Sequence, residues 1–306
     1  MLPSSLKILH GPDPQGSRRG GAAEHPARGS KNPADGTIRS PLVVLGATGV
    51  IGRAVVRAAV ETGRPVVAMA RDLRHLEQLR LELPGSDVTV LAGTIAGDAD
   101  GERLAAMLRR DGRPIAGVVD AMSGDTGRGR LIDHPTEVLR RAFDDDLLPH
   151  LSAARHLIPL LAEAKRGGSY VLIGGPGSET PWSNYGFRSV AAAALRMLAC
   201  VLHDEAHSLD VRVQLLLVDA PVRGDLPCRH ACPEWPSAVA VGRRALQLIE
   251  RGIATEPARA VVHYARGVDS AATQTTTSRR EHTDVRSFLK GLSSLDRNEV
   301  FPDDTP

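Results

Sequence analysis

Lysine is nearly absent from this chain. Of 38 basic residues only Lys7, Lys31, Lys165 and Lys290 are lysines, so a reaction that needs an ammonium group has few places to find one. Charge of one sign is lacking too: 38 basic against 36 acidic side chains leave a formal charge of +2, which gives no broad field for nucleic acid. Cysteine occurs three times, at Cys200, Cys228 and Cys232, too few and too scattered for a disulfide framework, and a reducing cytoplasm is the expected location. The spacing Cys228-Arg229-His230-Ala231-Cys232 fits no standard zinc pattern and has no evident fourth ligand, so no metal is expected. No run of about 18 apolar residues is present to span a membrane. Aromatic residues number nine in 306, which makes any cluster of them informative.

The most informative stretch that is present runs Leu42-Val43-Val44-Leu45-Gly46-Ala47-Thr48-Gly49-Val50-Ile51-Gly52. An apolar run too short for a helix ends in three evenly spaced glycines, the pattern of a buried strand that turns tightly into a helix. Such a turn presents backbone N–H groups and the positive end of the helix to a pyrophosphate. Gly46 permits the turn, Gly49 lets a phosphate approach the backbone, and Gly52 lets helix and strand pack closely. The spacing is G-x-x-G-x-x-G rather than the usual G-x-G-x-x-G, and by itself it is a weak signal.

Residues 1–40 carry Gly, Pro and Arg in quantity with almost no apolar periodicity, which reads as a disordered extension without the apolar core of a signal peptide. A start codon placed too far upstream accounts for them equally well. From residue 41 onward, short apolar runs alternate with helical patterns, the sequence form of βαβ units. Strands are expected near 42–46, 65–70, 87–92, 115–121, 168–174, 211–219 and 259–265. Helices are expected near 50–62, 72–82, 99–110, 135–165 (two, broken around Pro149), 186–207 and 237–251. The fold class is therefore α/β, a Rossmann-type doubly wound parallel sheet of about seven strands in one domain, 41–267. Residues 268–306 read as a mobile tail, except where Phe288, Leu289 and Leu292 dock.

At the end of the second strand, Ala70 stands where an NAD site usually places a carboxylate for the ribose 2′-hydroxyl, and Arg71 follows. A guanidinium there suits a 2′-phosphate, so NADP(H) is preferred over NAD(H); a solvated arginine opening the next helix is the plainer alternative. With these residues the chain resembles the short-chain dehydrogenase/reductase family over about 41–224. The segment Asp133-His134-Pro135-Thr136-Glu137 through Phe143-Asp144-Asp145-Asp146-Leu147 is similar to the entry of its fourth helix, where an asparagine usually stands at the position of Asp146. Gly167–Gly175 resembles its fifth strand, Tyr185 opens a small-residue helix, and Val211–Gln214 with Asp219-Ala220-Pro221-Val222-Arg223 resembles the sixth strand and the segment that shields the nicotinamide. The resemblance assigns the cofactor to Gly46, Thr48, Gly49, Val50, Ile51, Gly52, Arg71, Ala121 and Val222.

Members of that family reduce carbonyls or oxidise alcohols with a tyrosine as acid/base, a lysine four residues later, a serine on the fifth strand and the asparagine. A phenol with a pKa near 10 needs a neighbouring cation to act as a base at neutral pH. Here Tyr185 is retained, but Ser189 holds the lysine position, Gly174 or Gly175 the serine position and Asp146 the asparagine position. Arg188 is the adjacent cation and Ser178 a displaced serine, so the expected catalytic set is Tyr185, Arg188, Asp146 and Ser178. Asp144 and Asp145 are expected to be solvated, with only Asp146 pointing to the site.

Three of the nine aromatics, Trp182, Tyr185 and Phe187, fall where the family's substrate mouth lies, which suits a small apolar or aromatic metabolite unless they merely seal a loop onto the core. The sequence leaves three functions open: an atypical NADP(H)-dependent oxidoreductase, a non-redox enzyme (isomerase, dehydratase or cyclase), and a nucleotide-binding protein without turnover. The resemblance also implies a homodimer through helices 147–165 and 186–207. The Ala- and Arg-rich composition suits a bacterial source, and an altered site suits specialised metabolism.

Overall fold

Leu42, Val43, Val44 and Leu45 are all fully buried, as a strand covered on both faces requires. The computed structural model describes residues 7–9, 40–124, 127–165, 167–224, 232–250 and 259–265. Its elements run in order β1 (Lys7–Leu9), β2 (Leu42–Leu45), α1 (Val50–Glu61), β3 (Val66–Ala70), α2 (Leu73–Leu81), β4 (Val88–Ala92), α3 (Asp98–Asp111) and β5 (Gly117–Asp120). They continue with α4 (Thr136–Asp146), α5 (Leu148–Glu163), β6 (Gly168–Gly174), α6 (Gly186–His207), β7 (Val211–Leu217), α7 (Ala238–Glu250) and β8 (Val261–His263). From β2 on, every expected element is present with bounds within two residues of those read from the sequence.

The strands form one sheet in the order β1-β4-β3-β2-β5-β6-β7-β8. All pairs from β4 to β8 are parallel, and β1 joins antiparallel at the edge, Lys7 opposite Ala92 and Leu9 opposite Val90. This edge strand falls within the stretch 1–40; the rest of that stretch up to Arg39 lies outside the described residues. The described elements belong to one compact unit. The expected tail at 268–306, with Phe288, Leu289 and Leu292, lies outside the described residues, as do Cys228 and His230.

Alternation along the strands sorts the core into two layers. Val43, Leu45, Val118, Leu172 and Leu215 face Leu104 of α3, Leu157 and Leu161 of α5 and Leu195 and Ala199 of α6. Leu42, Val44, Val119, Val171 and Leu216 face Val55 and Ala59 of α1, Leu76 of α2 and Val241 and Ala245 of α7. Burying side chains of this size contributes about 1.5–3 kcal/mol each, which is why the apolar runs alone fix the strands. By length and composition α6 is the one helix among the described residues that would span a membrane. It carries Arg188 and Arg196 and buries Leu195, Ala199 and Leu202 with the sheet, as a core helix does. The chain order reverses between the neighbours β2 and β5, which places a crevice at their carboxyl ends.

Candidate active site

A cleft of about 400 Å³ opens at that reversal. One wall is the start of α1, with Gly49, Val50 and Ile51; beside it lie Ala121, Met122 and Ser123 after β5. The segment after β7, from Val218 to Val222, faces Gly174, Gly175 and Pro176 after β6. Asp146 at the end of α4, His150 on α5, Trp182, and Arg188, Ala191, Ala192 and Leu195 along α6 complete it.

The glycine turn is built for close approach. Gly46 has φ +73°, and a Cβ there would lie 2.5 Å from the Ala121 carbonyl oxygen. A Cβ on Gly52 would stand 2.8 Å from the Gly46 carbonyl carbon and closer still to its oxygen, so helix and turn touch backbone to backbone. Gly49 caps α1 without a side chain, and its N–H donates to the Gly46 carbonyl at 3.0 Å. The opening N–H groups of α1 therefore meet the cleft without a capping side chain, the arrangement that holds a phosphate.

Of the residues singled out in the sequence, Gly49, Val50, Ile51, Ala121, Val222, Asp146 and Arg188 line the cleft. Gly46, Gly52 and half-buried Thr48 shape the turn behind it. Arg71 is exposed just past β3, and its side chain has no hydrogen bond or ion pair among the described residues. Its neighbour Asp72 caps α2, accepting from the Arg74 N–H at 2.8 Å, which holds that carboxyl below its usual range. Asp144 and Asp145 are exposed, whereas Asp146 is half-buried and its Oδ1 accepts from the Gly124 N–H at 2.6 Å.

Tyr185 and Ser178 are not among the lining residues. Tyr185 is the N-cap of α6, its ring stacked on Trp182 at 4.2 Å, with the Arg128 guanidinium 5.4 Å from its centre. Ser178 is buried and its Oγ has no hydrogen-bond partner among the described residues. The aromatic cluster divides: Trp182 reaches the cleft, Tyr185 stacks behind it, and Phe187 is buried against His134.

Against known proteins, the model of the short chain dehydrogenase family matches residues 41–219. The chain belongs to the short-chain dehydrogenase family. No curated protein sequence matches it significantly. The short-chain dehydrogenase fold is also found by structure. An enzyme of this type from Mycobacterium ulcerans superposes with a TM-score of 0.63 at 20% identity, covering 69% of this chain and 83% of that one. One from Streptomyces avermitilis gives 0.62 at 20% identity over 84% and 94%. An NADPH-bound short-chain oxidoreductase from Pseudomonas aeruginosa, described as containing an atypical catalytic center, gives 0.64 at 18% identity over 76% and 98%. At these identities the likeness concerns the fold.

Within this short-chain dehydrogenase, the α6 wall carries no lysine. Its cleft-lining residues four apart are Arg188 with Ala192 and Ala191 with Leu195, a guanidinium among apolar side chains on one helix face. The loop before α6 is tied to the helix by Ser189, whose Oγ accepts from the Trp182 N–H at 2.9 Å and donates to the Tyr185 carbonyl at 3.0 Å. That tie keeps Tyr185 one turn short of the row that faces the cleft.

Behind the cleft lies a buried polar group that the sequence reading missed. Asp120, the last residue of β5, is fully buried; its Oδ2 accepts from the Tyr170 hydroxyl at 3.0 Å and lies 2.9 Å from His150 Nδ1. The Nδ1 contact has ion-pair distance but is off the line of a directed hydrogen bond. Burial opposes charging of His150, yet Asp120, and more weakly Asp146, hold its pKa on balance above the usual range. Burial and the adjacent carboxylate raise the Tyr170 phenol far above its ordinary value, so it remains a donor. The available signal was a carboxylate ending an otherwise apolar strand, Gly117-Val118-Val119-Asp120.

Proposed function

We propose that this chain is an NADP(H)-dependent oxidoreductase that reduces a carbonyl, or oxidises the matching alcohol, of a small apolar or aromatic metabolite. The observation that carries this reading is the continuity of the cleft, from the uncapped start of α1 to Arg188 and Trp182. Gly46 and Gly52 have no room for a Cβ, the form expected of a turn that admits a pyrophosphate. Arg71, exposed and without a hydrogen bond or ion pair among the described residues, supports a 2′-phosphate, and Asp72, engaged in its cap, is poorly placed to bind a 2′-hydroxyl. A bound nicotinamide supplies hydride chemistry. On the chain's side, Arg188 polarises the substrate oxygen, Trp182 offers an apolar face, and the segment Val218–Val222 excludes water.

Met197 and Val201 on α6 and Leu148 and Leu151 on α5 are exposed, which supports a homodimer through these helices. The unpaired thiols of Cys200 and Cys232 suit a cytoplasmic setting. A second reading, non-redox chemistry in the same cleft, is favoured by the absence of Tyr185 and of any lysine from its wall. It predicts product formation with no net change in nicotinamide absorbance.

Fluorescence titration with NADPH and NADH tests the cofactor reading, in wild type and Arg71→Ala. Losing one charge-assisted contact of about 1.5–3 kcal/mol weakens NADPH roughly 10- to 100-fold and leaves NADH nearly unchanged. Equal wild-type affinity for both nucleotides refutes the preference, and binding of neither refutes the function.

A further inference from the structure

Reduction of a carbonyl requires a proton at the substrate oxygen, and a guanidinium does not release one near neutral pH. Arg188 can therefore orient and polarise, but another group must titrate. We propose that His150, paired with Asp120, is the acid–base residue of this cleft, an assignment that rests on the oxidoreductase reading above. His150 is the one histidine among the residues lining the cleft, and it is 1% exposed, so its ring belongs to the wall rather than to the surface. Its Nδ1 lies 2.9 Å from Asp120 Oδ2, so Nε2 is the ring nitrogen the proposal assigns to the substrate. Asp120 is fixed in turn: the Tyr170 hydroxyl donates to its Oδ2, and the Met122 N–H donates to its Oδ1 at 3.2 Å. A carboxylate fixed at this distance stabilises the charged form of the imidazole through its field.

Among the described residues, charged groups reach the ring's surroundings from three elements. Asp120 approaches from β5, Asp146 from the end of α4, and Arg188 lines the same cleft from α6; Tyr170 on β6 is neutral. Desolvation opposes the imidazolium, but the two carboxylates outweigh it and raise the ring's pKa above the ordinary histidine value. In the reductive direction the N–H bond at His150 Nε2 breaks and the proton passes to the substrate oxygen. The C=O π bond opens, the carbon receiving hydride from the reduced nicotinamide. The neutral imidazole is reprotonated from solvent. In oxidation the neutral ring removes the hydroxyl proton as hydride leaves the carbon.

The first test is carried out on the free protein. NMR of ring-labelled histidine should show the His150 imidazole titrating above an ordinary histidine, and Asp120→Asn should move its titration to lower pH. The second test is kinetic: His150→Gln should lower the reduction rate about 100-fold or more while the NADPH affinity stays near wild type. Because His150→Gln leaves Asp120 without its cation, the double variant Asp120→Asn/His150→Gln, with two neutral amides, is measured beside it and should show the same loss. In Asp120→Asn the reduction rate should fall off at lower pH than in wild type, a shift that a merely structural role would not produce. A ring that is neutral from acid to alkaline pH, or reduction by folded His150→Gln at near wild-type rate, overturns the proposal. Failure of the wild-type protein to bind NADPH overturns the oxidoreductase reading itself, and the nucleotide titration identifies that case separately.

Discussion

Replacing Gly52 by alanine separates the fit of the glycine turn from its chemistry. The new Cβ would sit 2.8 Å from the Gly46 carbonyl carbon, whereas unstrained carbon pairs lie at about 3.5–4.0 Å. Helix α1 must then back away from β2 by about 1 Å. Overpacking of this kind costs about 1–3 kcal/mol, offset by at most about 1 kcal/mol from alanine's better helix propensity. A net loss of about 1–2 kcal/mol lowers Tm by roughly 2–8 °C in a domain of this size. The displacement also withdraws the first N–H groups of α1 from a phosphate, and losing one charged hydrogen bond of about 1.5–3 kcal/mol weakens NADPH by roughly 10- to 100-fold. Gly63→Ala is the control: Gly63 ends the same helix at φ +69° with open space around it, so alanine there costs about 1–2 kcal/mol of backbone strain without reaching the cleft. Thermal unfolding and nucleotide fluorescence are read on both variants. If Gly52→Ala binds NADPH as wild type does, or if Gly63→Ala weakens binding equally, the turn does not hold the pyrophosphate.

Three further outcomes are expected. Arg188→Ala lowers turnover on a reduced carbonyl by about 100-fold, as loss of an oxygen-polarising donor does, whereas Tyr185→Phe leaves it near wild type; a large loss in Tyr185→Phe would place the phenol at the reacting centre. Glu82 receives Arg53 at 2.7 Å and Arg57 at 2.9 Å, and these bonds hold its carboxyl below the usual range. Its stabilisation is therefore complete above the unfolded value of about 4.3 and fades as pH falls through the lowered folded value. Glu82→Gln should cost about 0.5–1 kcal/mol in denaturant unfolding at pH 7, with the difference shrinking in acid. Light scattering should find a dimer for wild type and a monomer for Met197→Glu, since Met197 is 58% exposed on α6; a monomeric wild type removes the proposed interface.

The strands and helices were legible because each rests on local pattern. A run such as Val66–Ala70, buried at every position, has no other stable place than a covered sheet. The glycine turn was legible for a similar reason, since its spacing is local, although its close approach to Ala121 after β5 is not. The α6 wall was not, because the start of the helix at Gly186, which the pattern did give, does not say where the ring of the residue before it turns. Tyr185 is the N-cap, and its ring stacks on Trp182 rather than lining the cleft. The Asp120, His150 and Tyr170 group was beyond reach in another way. Its members come from β5, α5 and β6, and only the sheet order and the start of α5 make them neighbours. The edge strand β1 pairs with β4 over three residues, too few for any pattern to announce it.

The joint between α4 and α5 carries a consequence of its own. Leu147 leaves the helical conformation at φ −126° and ψ −56°, and α5 restarts at Leu148 with Pro149 in its first turn. Asp146 and His150 lie on either side of this joint and both face the cleft. Each residue of α-helix is a screw step of about 100° and 1.5 Å. Removing or adding a single residue at the joint would turn α5 out of phase with α4, carrying His150 away from Asp120 and swinging Leu157 and Leu161 off the sheet together. The timing of the polar residues and the seating of the core are thus set by the same thread, so this wall of the cleft can be altered by substitution but not by changing its length.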